Sequence, residues 1–215
     1  MATAAEAIFE TVKYLQEIYR QVDALVGTLK ADLDVPGWAA GEWNDDEYEP
    51  GHPWLYTGVS LTRVVRKKTA AGRGAPRRIG ALTICIDLGE ENGLAALFGR
   101  SVVIVGWVGR DDDEWELANF TSDERTTLEL HSPQLVRYID PDDAKTWRKE
   151  TLDGEKVGWF YVLPLDTFTD RGDLSRLIAG PVSALTTGAT PEKAFKEVPE
   201  ALRFRQEPGG ALQPG

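Results

Sequence analysis

The chain has 215 residues, of which 42% are hydrophobic and 27% charged, and 24 Lys and Arg stand against 35 Asp and Glu for a formal net charge of −11. A chain of this size and composition builds a core without disulfides or metals, so bulk disorder and a metal-dependent miniature fold are excluded as starting points. The charge repels nucleic acid and acidic membranes on average, so a partner of either kind has to meet a local basic patch.

Chain order begins with a helix. Ile8, Val12, Leu15, Tyr19, Val22, Val26, Leu29 and Leu33 are separated by alternate steps of four and three, which keeps one apolar seam on a helix of period near 3.5. Glu10, Lys13, Gln16, Glu17, Arg20, Gln21, Asp23, Lys30 and Asp32 fill the positions between, so the predicted helix over 3–33 is amphipathic. Thr3 and Glu6 have capping-box spacing at its start. Pro36 and Gly37 end it. Ile18 and Leu25 widen the seam, which favours docking across a broad sheet over pairing with a partner helix or a second copy, the homo-oligomeric alternative.

Residues 34–54 form a long acidic and aromatic loop, within which Trp38, Trp43, Tyr48 and His52 are possible loop contacts. The aromatics have two uses there, closing the end of the core or binding a partner, and the tendency of large rings to bury favours the first. The sheet is expected over 55–163. Leu55 to Arg66 and Ile79 to Leu88 read as a hairpin, and Leu94 to Gly99 as a short helical turn. Ser101 to Val108 is apolar on both faces, as a covered central strand should be. Trp115 to Phe120, Thr126 to Leu130 and an edge strand at Leu135 to Ile139 then extend an antiparallel meander. Asp140-Pro141 signals a helix start, and the spacing carries that helix through Trp147 to Lys149. Val157 to Leu163 reads as another buried strand. Helices follow over 166–200, with Pro181 able to kink them, and residues 206–215 read as a flexible tail. The expected fold is α+β: an antiparallel sheet of about five to seven strands, covered by the long N-terminal helix and the C-terminal helices, forming a single domain over 1–205.

No catalytic motif for hydrolysis, phosphoryl transfer or dinucleotide binding occurs. Cys85 sits between Ile84 and Ile86 in a strand and reads as a small hydrophobe, not a nucleophile. His52 and His131 belong to turns without a second ligand at zinc spacing, so no metal or other cofactor is expected. The acidic run Asp111-Asp112-Asp113-Glu114 lacks the alternating oxygens of a calcium loop. Asp153-Gly154-Glu155-Lys156 lacks the spacing of a metal-dependent nuclease.

The most specific local feature is basic. Arg63, Arg66, Lys67, Lys68, Arg73, Arg77 and Arg78 cluster on the hairpin around a Gly-rich tip, in a stretch without an acid. Such a hairpin can clamp phosphates or an acidic protein surface; the alternative is a solvated hairpin whose charges discourage edge pairing. The expected function is therefore that of a non-enzymatic binding or adaptor protein, acting on a protein partner through the basic hairpin and the aromatic-acidic loop. A nucleic-acid-binding component using the hairpin is the first alternative, and an enzyme with an unrecognised site near His52 and His131 the second. A cytoplasmic location without a membrane partner is expected, because a single cysteine fits a reducing compartment and neither a signal-peptide pattern nor a run of about 18 apolar residues occurs.

Overall fold

The computed structural model describes residues 3–39, 42–43, 58–67, 77–89, 94–108, 135–139, 147–151, 156–206 and 212–214. Helix α1 spans Ala4–Asp32, and its start is the expected capping box: the Thr3 amide donates to Glu6 Oε2 at 2.7 Å and the Glu6 amide to Thr3 Oγ1 at 3.3 Å. Those hydrogen bonds from Thr3 hold the exposed Glu6 carboxyl below its ordinary range. The helix stops at Leu33, which turns extended, and Gly37 takes a φ of 85° that other residues rarely adopt.

Among the described residues seven strands form one antiparallel sheet: β1 (Trp38–Ala39), β2 (Gly58–Lys67), β3 (Arg77–Asp87), β4 (Val102–Val108), β5 (Leu135–Ile139), β6 (Trp147–Thr151) and β7 (Lys156–Pro164). Their spatial order is β1-β2-β3-β4-β7-β6-β5. Two meanders, one per half of the chain, thus meet at β4 and β7, where Val105 faces Tyr161 and Ile104 faces Val162. The neighbour of β4 is the last strand of the sheet, not the next segment in sequence, and β5 is the edge that its position at Leu135 to Ile139 suggests. Trp115 to Phe120 and Thr126 to Leu130 lie outside the described residues.

One expectation is corrected here. Trp147 to Lys149 is not helical: it opens β6, pairing with β5 through Trp147 and Ile139 and with β7 through Trp147 and Phe160. Strand neighbours on both sides give partners to the backbone groups pointing each way from the segment, a tertiary gain that no local helix signal reports; the expected start at Asp140-Pro141 itself lies outside the described residues.

Both faces of the central strands are covered. On the first face Leu61, Leu82, Ile84, Val103, Val105, Tyr161 and Leu163 join Val22, Val26, Leu29 and Leu33 of the α1 end and the C-terminal helices in one apolar cluster. On the second, Cys85, Ile104, Phe160 and Val162 pack with Leu94 and Ala95 of α2 (Leu94–Phe98). Cys85 is buried in that layer, in keeping with its reading as a core residue. The buried Asp87 carboxylate accepts from the Ala95 amide at 2.9 Å and the Gly89 amide at 3.0 Å, tying the start of α2 to the end of β3.

The C-terminal helical run, here α3, consists of Arg171–Asp173, a π-helical stretch Leu174–Ala179 and Gly180–Thr186. Pro181 explains part of this irregularity. It has no N–H for the carbonyl four residues back, that of Leu177, and the Tyr161 hydroxyl donates to that carbonyl instead at 2.8 Å. Burial pushes the Tyr161 hydroxyl pKa well up. The Gly180 amide reaches back five residues to the Ser175 carbonyl. A short α4 (Pro191–Ala194) follows, and Phe195 beside it meets Tyr161 edge-on at 4.9 Å between ring centres. The tail expected to be loose instead supplies β9 (Leu212–Pro214), which pairs antiparallel with β8 (Phe204–Gln206).

The start of α3 is held by charge. Asp173 Oδ2 accepts from the Thr169 amide at 2.8 Å, the Thr169 hydroxyl at 3.0 Å and the Asp170 amide at 3.1 Å, while Oδ1 takes Arg176 at 3.0 Å. These donors, led by the Thr169 amide, lower the Asp173 pKa to about 2. Arg176 also bridges to Glu200 at 2.7 Å, and Arg171 reaches Asp32 at the end of α1 at 3.2 Å.

Candidate interaction site

Helix α1 docks by only half of its length. Val22, Val26 and Leu29 are buried, whereas Ile8 (65% exposed), Phe9 (61%), Val12 (37%), Tyr14 (68%) and Leu15 (39%) stand in solvent. The expectation that the whole seam covers the sheet therefore holds for its second half and fails for its first. Length is one reason: 29 helical residues run roughly 44 Å, longer than strands of seven to eleven residues at about 3.3 Å each. Competition is the other, because α3 and the residues after it occupy the rest of the same face.

The projecting half has a broad uncharged side. At 100° per residue, Glu6, Glu10, Lys13, Glu17 and Arg20 all fall within an arc of about 80°. The uncharged side chains of this half, among them Tyr14, Leu15, Ile8, Tyr19, Val12 and Phe9, share the remainder. The charges are also spent locally, Lys13 on Glu10 at 3.5 Å and Arg20 on Glu17 at 2.8 Å. Those Arg20 and Gln21 hydrogen bonds lower the Glu17 pKa. Lys13 lies 5.5 Å from the centre of the Phe9 ring.

Where the helix leaves the sheet a groove of about 490 Å³ opens between Tyr14, Ile18, Gln21, Val22 and Leu25 on α1 and Arg100, Ser101, Leu165, Asp166 and Phe168 on the body. Several of its polar groups are engaged: Arg100 faces Asp166 at 3.8 Å, and the Ser101 hydroxyl donates to the Leu88 carbonyl at 2.9 Å. Mixed lining of this sort suits a side chain or a short segment, since it offers apolar wall with a few polar groups at the rim. Among the described residues no group of three His, Cys, Asp or Glu converges to hold a metal ion.

The aromatic and basic candidates fare differently. Trp38 is buried against Trp107, 5.2 Å between ring centres, and belongs to the core. Trp43 is half-buried beneath the Arg63 guanidinium, 5.5 Å from its ring centre. Arg63 Nη1 in turn donates to the Leu33 carbonyl at 3.2 Å, placing a cation at the negative end of α1. Arg63 is thus tied into the molecule, and Arg66 is exposed. Backbone register sets Arg66 opposite Arg78 and Lys67 opposite Arg77 at the outer end of the hairpin. Lys68, Arg73, Tyr48, His52 and His131 lie outside the described residues.

Phe9 and Tyr14 fall off the four-three seam, so its periodicity does not mark them. The signal that finds them is the width of the charge-free arc, which exceeds what one seam needs. Arg100, Asp166 and Phe168 carried no local signal, since only the fold brings them beside Ile18 and Leu25. No helix among the described residues is long and apolar enough to cross a membrane. Comparison of the chain with family models, with curated proteins and with solved structures gave no match.

Proposed function

We propose that this is a non-enzymatic binding or adaptor protein that works by protein–protein contact, with the projecting half of α1 and the groove at its root as the principal surface. One observation carries the reading: five large apolar side chains are exposed within residues 8–15 of a helix whose other half is packed. Single exposed apolar residues are ordinary, but several concentrated on two turns of one helix point to a contact surface. Covering each of these side chains would stabilise the covered form by about 1.5–3 kcal/mol at full burial, a free energy that folding leaves available to a partner.

A photo-crosslinking side chain at Phe9, compared with one at the exposed Lys196 on the body, tests the proposal in cells that make the protein. The expected result is a discrete protein adduct from position 9 alone. Identical patterns from both positions would remove α1 as the contact surface.

The hairpin register favours a second reading, contact with an acidic partner or a nucleic acid. Like charges directly opposite one another on paired strands destabilise the pair unless an anion answers them, and two successive rungs here pair cation with cation. Titration with labelled DNA or RNA at two salt concentrations decides the nucleic-acid form of it, since phosphate binding has to weaken as salt rises. Charge reversal at Arg73, Arg77 and Arg78 is expected to reduce binding.

A further inference from the structure

The projecting half of α1 is nearly neutral on a strongly acidic protein. Residues 3–21 carry three carboxylates, Glu6, Glu10 and Glu17, and two cations, Lys13 and Arg20, so they hold one unit of the net charge of −11. All five lie on the side away from Ile8, Val12 and Leu15, and each is already answered within the helix: Glu6 by the Thr3 cap, Lys13 by Glu10 and Arg20 by Glu17. The apolar side therefore meets a copy of itself with no charge to bury and no like-charged pair to oppose it.

We infer that the occupant of this surface is a second copy of the same chain, the two projecting halves packing antiparallel. The inference rests on the reading of α1 as a contact surface and names its partner. Antiparallel packing follows from where the charge sits. A parallel pair would set two acidic bodies side by side, whereas an antiparallel pair sends them to opposite ends and brings together only the near-neutral segments.

The seam selects a register. With Val12 of one copy opposite Leu15 of the other, Ile8 falls opposite Tyr19, and every layer along the shared stretch is apolar. The positions flanking those layers are Thr11 and Ile18 on one side and Phe9 and Gln16 on the other, none of them charged. Covering the exposed stripe in this way buries on the order of 600 Å² per copy, the low end for specific interfaces, so the pairing is of the kind that dissociates on dilution. Anchorage of the second half of α1 in the core supplies the helix nucleus that so short a free helix would lack.

Sedimentation velocity across the micromolar range tests the pairing on the full chain. The wild type is expected to pass from monomer to dimer, and Val12→Glu and Phe9→Lys each to shift the midpoint at least tenfold. Val12 and Phe9 lie outside both core clusters, and an unchanged near-UV spectrum confirms that each variant is folded. Spin labels then report direction, because the buried Cys85 is protected from labelling. At a rise of about 1.5 Å per residue, labels on Lys13→Cys fall within roughly 20 Å of each other, while those on Ala4→Cys lie roughly 28 Å apart along the axis. Short distances at both positions would overturn the antiparallel arrangement.

A wild type that stays monomeric throughout would overturn the second copy as occupant. If the Phe9 crosslinker still captures a different protein in that event, the contact surface stands with another partner. If it captures nothing, the surface falls too.

Discussion

The two halves of α1 share one seam, one spacing and one helix, yet Val22, Val26 and Leu29 are inside the protein while Ile8, Val12 and Leu15 are outside it. What separates them is the surface available at each level. The second half joins Leu82 and Leu163 of the first face of the sheet in one apolar cluster, and Ile8, Val12 and Leu15 of the first half are outside it. An apolar seam therefore specifies that a helix needs a neighbour, and the supply of neighbours decides whether the chain provides one itself.

The sharpest way to break this comparison is to truncate matching leucines. Leu29→Ala should cost about 3–5 kcal/mol of stability, as expected for a fully buried leucine, while Leu15→Ala at concentrations where the chain is monomeric should stay within about 0.5 kcal/mol. Equal losses in urea denaturation would mean that the first half is packed after all.

Acid should loosen the docked end next. The Asp173 pKa is lowered from 3.8 to about 2, so the folded state holds this carboxylate ionised more readily than the unfolded chain does. Its contribution is complete above roughly pH 5 and is lost as pH falls toward 2, on the order of 2 kcal/mol in all. Asp173→Asn should flatten the stability curve in that window, and a parent-like slope would assign the acid sensitivity elsewhere. Because Arg171 of the same turn bridges to Asp32, amide protection relative to the intrinsic exchange rate should fall near the end of α1 over the same pH range while protection near Thr11 stays level.

A smaller effect probes the irregular helix that shares the docked face. Tyr161→Phe removes the donor to the Leu177 carbonyl, which Pro181 cannot replace, and should cost about 1–3 kcal/mol with little change in core volume. Loss nearer zero would show that the carbonyl finds another donor.

The smallest effect has the opposite sign. Gly27 lies on the exposed side of the docked half, with nothing within 4 Å of an added Cβ, so Gly27→Ala should stabilise the protein by about 1 kcal/mol in thermal unfolding. A destabilised variant would place an unseen neighbour against that side of the helix.

Much of the architecture was readable from local pattern. The capping box at Thr3 and Glu6, the two-sided apolar run in β4 and the hairpin of β2 and β3 appear where spacing puts them. Trp147 to Lys149 is a strand where local pattern predicts helix, because the pairing with Ile139 and Phe160 that makes it a strand is not local. The candidate site divided along the same line. Arg63 reads in sequence as one more cation of a basic cluster, and its bond to the Leu33 carbonyl shows it serving the helix end instead.

Sequence by itself determined the helix, its amphipathic seam, the α+β class and the concentration of cations around the hairpin, since each depends on residues close in the chain. Only the tertiary structure decided which half of the seam is covered, that β7 lies beside β4, and that Arg100, Asp166 and Phe168 line a groove with Ile18 and Leu25. These outcomes depend on which elements reach the same place, and periodicity reports the direction a side chain faces but not what stands in front of it.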